Sequence, residues 1–180
     1  MEGARKPKSN KATRKVRALT IEEQKKLIQV LNSEEKTSAY RTQLLLMMFT
    51  GMRMGEINAL DVKDVNLTFK TINIHRTVTR DKTEHTIIGK TTKTYAGQRL
   101  LSLSNTTYKL LKDYMTEYQE NSMNLLFFDY RAKKVITTSQ VNMYFQRILK
   151  KYSILSDAVP GDITPVSYTH LRAHETPEHL

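Results

Sequence analysis

The sequence contains no cysteine. That single absence excludes disulfide staples, thiol nucleophiles and thiolate metal sites together, and it suits a reducing compartment. Nor is there a run of about 18 uninterrupted apolar residues, the least that a bilayer-spanning helix needs, so no membrane partner is expected. The N-terminal stretch is basic but has no apolar segment behind it, and it does not read as a secretory signal. No internal repeat is present. Acidic residues are in deficit, with 18 Asp and Glu against 29 Lys and Arg, which leaves a net charge of +11. Such a surplus attracts polyanions and speeds encounter with them, so nucleic acid is the expected partner class.

What is present is 180 residues, 39% of them hydrophobic, enough for one domain with a core and tails. Residues 1–18 carry Arg5, Lys6, Lys8, Lys11, Arg14, Lys15 and Arg17 against the single acid Glu2, with Gly3 and Pro7 breaking periodicity. They read as a basic linker or arm. Thr20 and Glu23 match a capping box, and Leu27, Ile28 and Leu31 follow on one face, which predicts a helix over about 20–32. Tyr40, Leu44, Leu45, Met47, Met48 and Phe49 form a run too apolar for a surface helix, so a buried helix is expected up to Thr50-Gly51. A short third helix is expected over about 54–61.

The period then changes from helical to alternating. Thr71 to Val78 alternates and is rich in β-branched residues, so it predicts one strand. Thr86-Ile87-Ile88 and Arg99 to Leu103 predict two more, with a loop over 89–98 that carries Lys90 and Lys93. Helices return at about 106–119 and after Thr138 or Ser139, where Val141, Tyr144, Phe145, Ile148 and Leu149 share a face. Leu125 to Phe128 reads as a short apolar strand or turn between them. The expected fold is mixed α+β, mainly α-helical, with a small three-stranded antiparallel sheet.

The stretch Thr50-Gly51-Met52-Arg53-Met54-Gly55-Glu56-Ile57 stands out, because it sets one arginine between two glycines at the end of an apolar helix. A guanidinium in such a turn suits a phosphate: its planar fork donates bidentately and stays charged. With Asn58-Ala59-Leu60 behind it, this segment resembles the first box of the tyrosine recombinases, the phage-integrase family, in which Thr-Gly-hydrophobe-Arg-hydrophobe-Gly-Glu precedes a short helix. Thr92 to Arg99 is similar to the hairpin segment that carries the family's catalytic lysine. The resemblance spans roughly residues 19–165, and the integrases of conjugative transposons look most similar.

The resemblance implies an integrase of a mobile element, in which a tyrosine attacks a DNA phosphodiester, forms a 3′-phosphotyrosyl link and frees a 5′-hydroxyl. Two arginines would neutralise the transferred phosphate and a lysine would protonate the leaving oxygen. Arg53 then becomes the first clamp arginine, Lys93 the general acid with Lys90 as the alternative, and Glu56 a support that orients the arginine turn. Arg76, Arg80, Arg99, Lys133, Lys134 and Lys150 become candidate phosphate contacts. The implied partners are double-stranded DNA and further copies of the chain, as a tetramer on two duplexes. No metal and no cofactor is required, and a bacterial or phage-type cytoplasmic, nucleoid-associated location follows. The alternative is a non-catalytic basic DNA-binding protein that keeps the fold without the chemistry.

The family's pattern breaks near the C-terminus. A His-x-x-Arg box and then the nucleophilic tyrosine should follow Ile163-Thr164-Pro165, but the chain reads Val166-Ser167-Tyr168-Thr169-His170-Leu171-Arg172-Ala173-His174-Glu175-Thr176. The codons GTC TCT TAT ACA CAT CTC CGA GCC CAC GAG followed by AC encode those residues, and that string resembles the adapter of a transposase-based sequencing library. Residues 166–180 are therefore expected to be a non-native tail, as a fusion scar would be. Residues 19–165 are read as a partial catalytic domain that lacks the nucleophile, and Tyr168, which precedes any arginine box, is not assigned that role. The full-length family also places a separate DNA-clamping domain ahead of this one, so a fragment is expected. Loss of the family's C-terminal helices would bare an apolar patch on the 40–49 helix. His170 and His174 stand four apart, the spacing of a zinc pair on a helix, but no third ligand accompanies them.

Overall fold

A computed structural model describes residues 18–33, 38–80, 86–89 and 98–155. The expected basic arm, the expected C-terminal tail, and Lys90 and Lys93 lie outside these residues.

Helix α1, Ile21–Ser33, begins at the expected capping box. The Glu23 amide donates to Thr20 Oγ1 at 3.2 Å while the Thr20 amide donates to Glu23 Oε2 at 2.9 Å, so two orphan N–H groups are satisfied reciprocally. Leu27 and Leu31 of this helix are fully buried. Helix α2, Ala39–Thr50, is capped by Ser38, whose hydroxyl accepts from the Arg41 amide. Gly51 ends it in the left-handed region (φ 68°) and donates to the Met47 carbonyl at 2.9 Å, a conformation that costs a residue without a Cβ little.

Helix α2 is the centre of the core, with Leu44, Leu45, Leu46 and Met47 buried against α1 and against α3 (Met54–Asn58), α4 (Asn105–Thr116) and α5 (Thr138–Lys151). Tyr40, Met48 and Phe49 of α2 are half-buried, and none of its large apolar side chains is fully exposed. Phe127 and Phe145 fill the same cluster, and each such buried side chain contributes roughly 1.5–3 kcal/mol relative to exposure. Among the described residues, no helix is long and apolar enough to cross a membrane.

The mixed α+β architecture is as expected, but its strands divide differently. The alternating run breaks at His75 and Arg76 into β2, Thr71–Ile74, and β3, Thr77–Arg80. Strand β2 lies between β1 (Val65–Asn66), which the sequence did not suggest, and β5 (Arg99–Ser102), all antiparallel. Strand β3 instead pairs with β4, Thr86–Gly89, as a separate two-stranded ladder. The break has a tertiary cause: His75 and Arg76 are held by Asp64 and Asp61, as described below. A second small hairpin joins β6 (Phe128–Asp129) to β7 (Lys134–Val135), and its buried Phe128 and Val135 form a cluster with Leu125 on which Val78 and Ile88 pack.

Helix ends also differ from expectation. Helix α3 stops at Asn58, and a single 3₁₀ turn, Val62–Asp64, follows under an Asp61 cap. Helix α4 stops at Thr116. Helix α5 is capped by Thr137 rather than by Thr138 or Ser139, because Thr137 and Gln140 complete a capping box: the Thr137 amide donates to Gln140 Oε1 at 2.8 Å and the Gln140 amide to Thr137 Oγ1 at 3.3 Å.

Candidate functional site

The turn between α2 and α3 presents Arg53 to solvent by burying its neighbours. Met52 and Met54 are both in the core, so the extended residue between them faces outward. Thr50 stitches the turn, its hydroxyl donating to the Leu46 carbonyl and accepting from the Met52 amide at 3.2 Å. The Arg53 side chain is 77% exposed.

Glu56, one turn into α3, lies beneath it and is 2% exposed. Its Oε2 accepts from the Arg53 amide at 3.0 Å and its Oε1 from Arg53 Nη1 at 3.2 Å. Arg99, at the start of β5, supplies the other donors: Nη1 to Oε1 at 3.2 Å and Nη2 to Oε2 at 2.9 Å. Each carboxylate oxygen thus receives two N–H groups. Burial pushes the Glu56 carboxyl up, but the Arg99 bonds and the Arg53 amide bond outweigh it and hold the group below the usual carboxylate range. The site therefore combines two guanidiniums with one ionised carboxylate. Arg53 is gripped through one guanidinium nitrogen, which leaves most of its fork toward solvent.

Gly55 sets how closely this turn meets β3. A Cβ on Gly55 would stand 2.7 Å from Thr77 Oγ1 and 3.0 Å from the Val78 carbonyl oxygen, so α3 rests directly on the strand that begins the β3–β4 hairpin.

The structure gives the other candidates different settings. Arg76 is 21% exposed, and its Nη2 faces Asp64 Oδ2 at 3.4 Å and Asp61 Oδ2 at 3.6 Å. Beside it His75 Nε2 meets Asp64 Oδ1 at 2.8 Å. Arg80 ends β3 opposite Thr86. Lys133 and Lys134 are exposed on the β6–β7 hairpin, and Lys150 is exposed in the last turn of α5. Sequence reasoning missed both carboxylate partnerships, Glu56 with Arg99 and Asp64 with His75 and Arg76. No periodicity could signal them, since they join residues 43, 11 and 12 positions apart.

The model of the family described as the phage integrase family matches residues 17–176. The chain belongs to the phage integrase family. Two curated relatives agree. The transposase from transposon Tn916 of Enterococcus faecalis is 24% identical over 84% of this chain and 39% of its own length. The integrase of Staphylococcus phage L54a is 33% identical over 75% of this chain and 40% of its own. This phage integrase family chain thus spans about two fifths of the curated relatives it matches. Among solved structures, the Tn1549 transposon integrase in complex with a circular intermediate DNA superposes with a TM-score of 0.72 at 17% identity, over 94% of this chain and 57% of that one, which is a likeness of fold. The family match includes residues 166–176, part of the stretch expected from the sequence to be a non-native tail.

Proposed function

We propose that this chain is part of the catalytic domain of an integrase that cuts and rejoins double-stranded DNA for a mobile element. The observation that carries this reading is the Arg53 guanidinium, exposed at the surface, gripped at one nitrogen by a buried carboxylate and free to meet a phosphate with the remainder. A fork held in this way loses little freedom on binding and offers two parallel donors to a phosphate edge. In the reaction, a tyrosine oxygen bonds to phosphorus, the bond to the 5′-oxygen breaks, and the departing oxygen takes a proton from Lys93, with Lys90 as the alternative. Arg53 stabilises the charge that spreads over the non-bridging oxygens. No described residue is assigned the nucleophile's role. Arg80, Lys133, Lys134 and Lys150 are proposed backbone contacts that hold register on the duplex. The assembly is four copies on two duplexes, at work in a bacterial cytoplasm at the nucleoid.

The test is the product of the full reading frame from which this chain derives. Incubated with a nicked suicide duplex, it should form a covalent protein–DNA adduct that Arg53→Gln lowers by about 100-fold or more, the scale for loss of one oxyanion-type donor. Duplex binding with no adduct would overturn the catalytic reading and leave the non-catalytic DNA-binding one.

A further inference from the structure

Arg99 sits on the wrong face of its strand for a surface cation. In the β2–β5 ladder Arg99 pairs with Ile74 and Leu101 with Ile72, both of β2's residues being buried. Directly opposed residues share a face of the sheet, so Arg99 lies on the core side while the apolar Leu100 between them is 69% exposed on the other. Polarity is inverted at these two positions. The Arg99 side chain keeps 35% of its surface exposed, and its fork meets the buried Glu56 carboxylate bidentately at 3.2 and 2.9 Å.

This pairing solves a problem that Glu56 alone would create. A carboxylate 2% exposed is costly unless it is paired and hydrogen-bonded. With only Arg53 as counter-charge, Glu56 would pull that guanidinium down and neutralise it. Any move of Arg53 onto a phosphate would then strand a buried anion. With Arg99 in place the carboxylate keeps two charge-assisted bonds whether or not Arg53 leaves. The group of three carries one net positive charge instead of none.

We propose that Arg99 is a positioning residue: it satisfies Glu56 so that the Arg53 fork is released to bind a DNA phosphate. The role rests on the reading of Arg53 as a phosphate clamp. It differs from a direct phosphate contact by Arg99 itself, because the effect of losing Arg99 then depends on Glu56.

The experiment measures equilibrium binding of the 180-residue chain to a short mixed-sequence duplex over a salt series, for wild type, Arg53→Gln, Arg99→Gln and Arg99→Gln/Glu56→Gln, with a thermal melt of each. Arg99→Gln should weaken binding by roughly tenfold or more, the scale of one charge-assisted bond. The logarithmic salt slope should flatten by about one phosphate contact. The double variant should recover most of the affinity and the slope, since the carboxylate that captures Arg53 is gone. Wild-type binding by Arg99→Gln, or no recovery in the double variant, overturns the proposal. Should Arg99→Gln fail to fold, a folded double variant supports compensation of Glu56, and a double variant that also fails to fold overturns it. Arg53→Gln separates the two levels. If it leaves binding unchanged, the clamp reading itself falls and takes the release role with it. If it weakens binding while the double variant recovers nothing, only the role given to Arg99 falls.

Discussion

Gly55 and Thr77 approach so closely that a single added methyl would stand 2.7 Å from the threonine hydroxyl oxygen. Behind it the Val78 carbonyl at 3.0 Å is backbone and cannot swing aside. An alanine in a helix is ordinarily favoured over glycine by about 1 kcal/mol. Here overpacking, worth roughly 1–3 kcal/mol, opposes that gain. Gly55→Ala is expected to lower the urea midpoint, and Gly55→Ala/Thr77→Ala to recover part of the loss. A raised midpoint in the single variant would show that β3 yields freely and that the contact does not fix the hairpin against the arginine turn.

The buried amides of Gln43 and Asn58 tie α2 to α3. Gln43 Nε2 donates to Asn58 Oδ1 at 2.7 Å, and both residues are fully buried. Gln43 Oε1 and Asn58 Nδ2 have no hydrogen-bond partner, so the pair is only half satisfied. Removing one member leaves the other buried and unpaired, at a cost of about 1–3 kcal/mol, whereas replacing both by apolar groups of similar shape is nearly neutral. Asn58→Leu and Gln43→Met should each destabilise, and the double variant should be more stable than the sum of the two losses implies. A double-mutant cycle by urea denaturation measures this, and simple additivity would sink the idea of a coupled pair.

Stability should fall in acid through Glu56. Its folded carboxyl is held below the usual range by the Arg99 bonds and the Arg53 amide, which outweigh the effect of burial. A depressed carboxyl contributes stability that is fully present above its unfolded pKa of about 4.3, and that is lost as the pH falls through the lower folded value. The gap in Tm between wild type and Glu56→Gln should therefore be widest near neutrality and should narrow below about pH 4. A gap that does not change with pH would mean that the carboxylate's charge contributes nothing to the fold.

What could be read from the sequence was local. The Thr20–Glu23 box closes within four residues, and the bonds that form it follow from spacing alone. The Arg53 turn was legible for the same reason: its glycines and alternating methionines all lie within two residues of Arg53. The cap of α5 was also encoded, since Gln140 selects Thr137 among three adjacent hydroxyl residues, but only when the partner three positions on is weighed. The strand break was not legible. Thr71 to Val78 alternates without glycine or proline, and the chain divides because Asp61 and Asp64, from another element, take hold of Arg76 and His75. Arg99 looked like a surface cation for an equally tertiary reason: its inward face is set by the pairing of Leu101 with Ile72.

That strand break leads to a last expectation, which separates two classes of cation on this basic chain. Arg76 reads in sequence as a phosphate contact, yet its guanidinium lies between two carboxylates and its Nε is buried without a hydrogen-bond partner. Lys134 stands exposed on a hairpin. Removing the arginine takes a counter-charge from Asp61 and Asp64 at the point where β2 becomes β3, and such a loss in a partly buried network costs about 1–3 kcal/mol. Lys134 acts on its ladder partner Asp129 through charge alone, so removing the lysine should change stability by no more than about 0.5 kcal/mol. Arg76→Ala should lower Tm by several degrees. Lys134→Ala should leave Tm unchanged while reducing the salt slope of DNA binding by about one contact. If Arg76→Ala instead melts like wild type, the carboxylates do not depend on Arg76, and the break at His75 and Arg76 must have another origin.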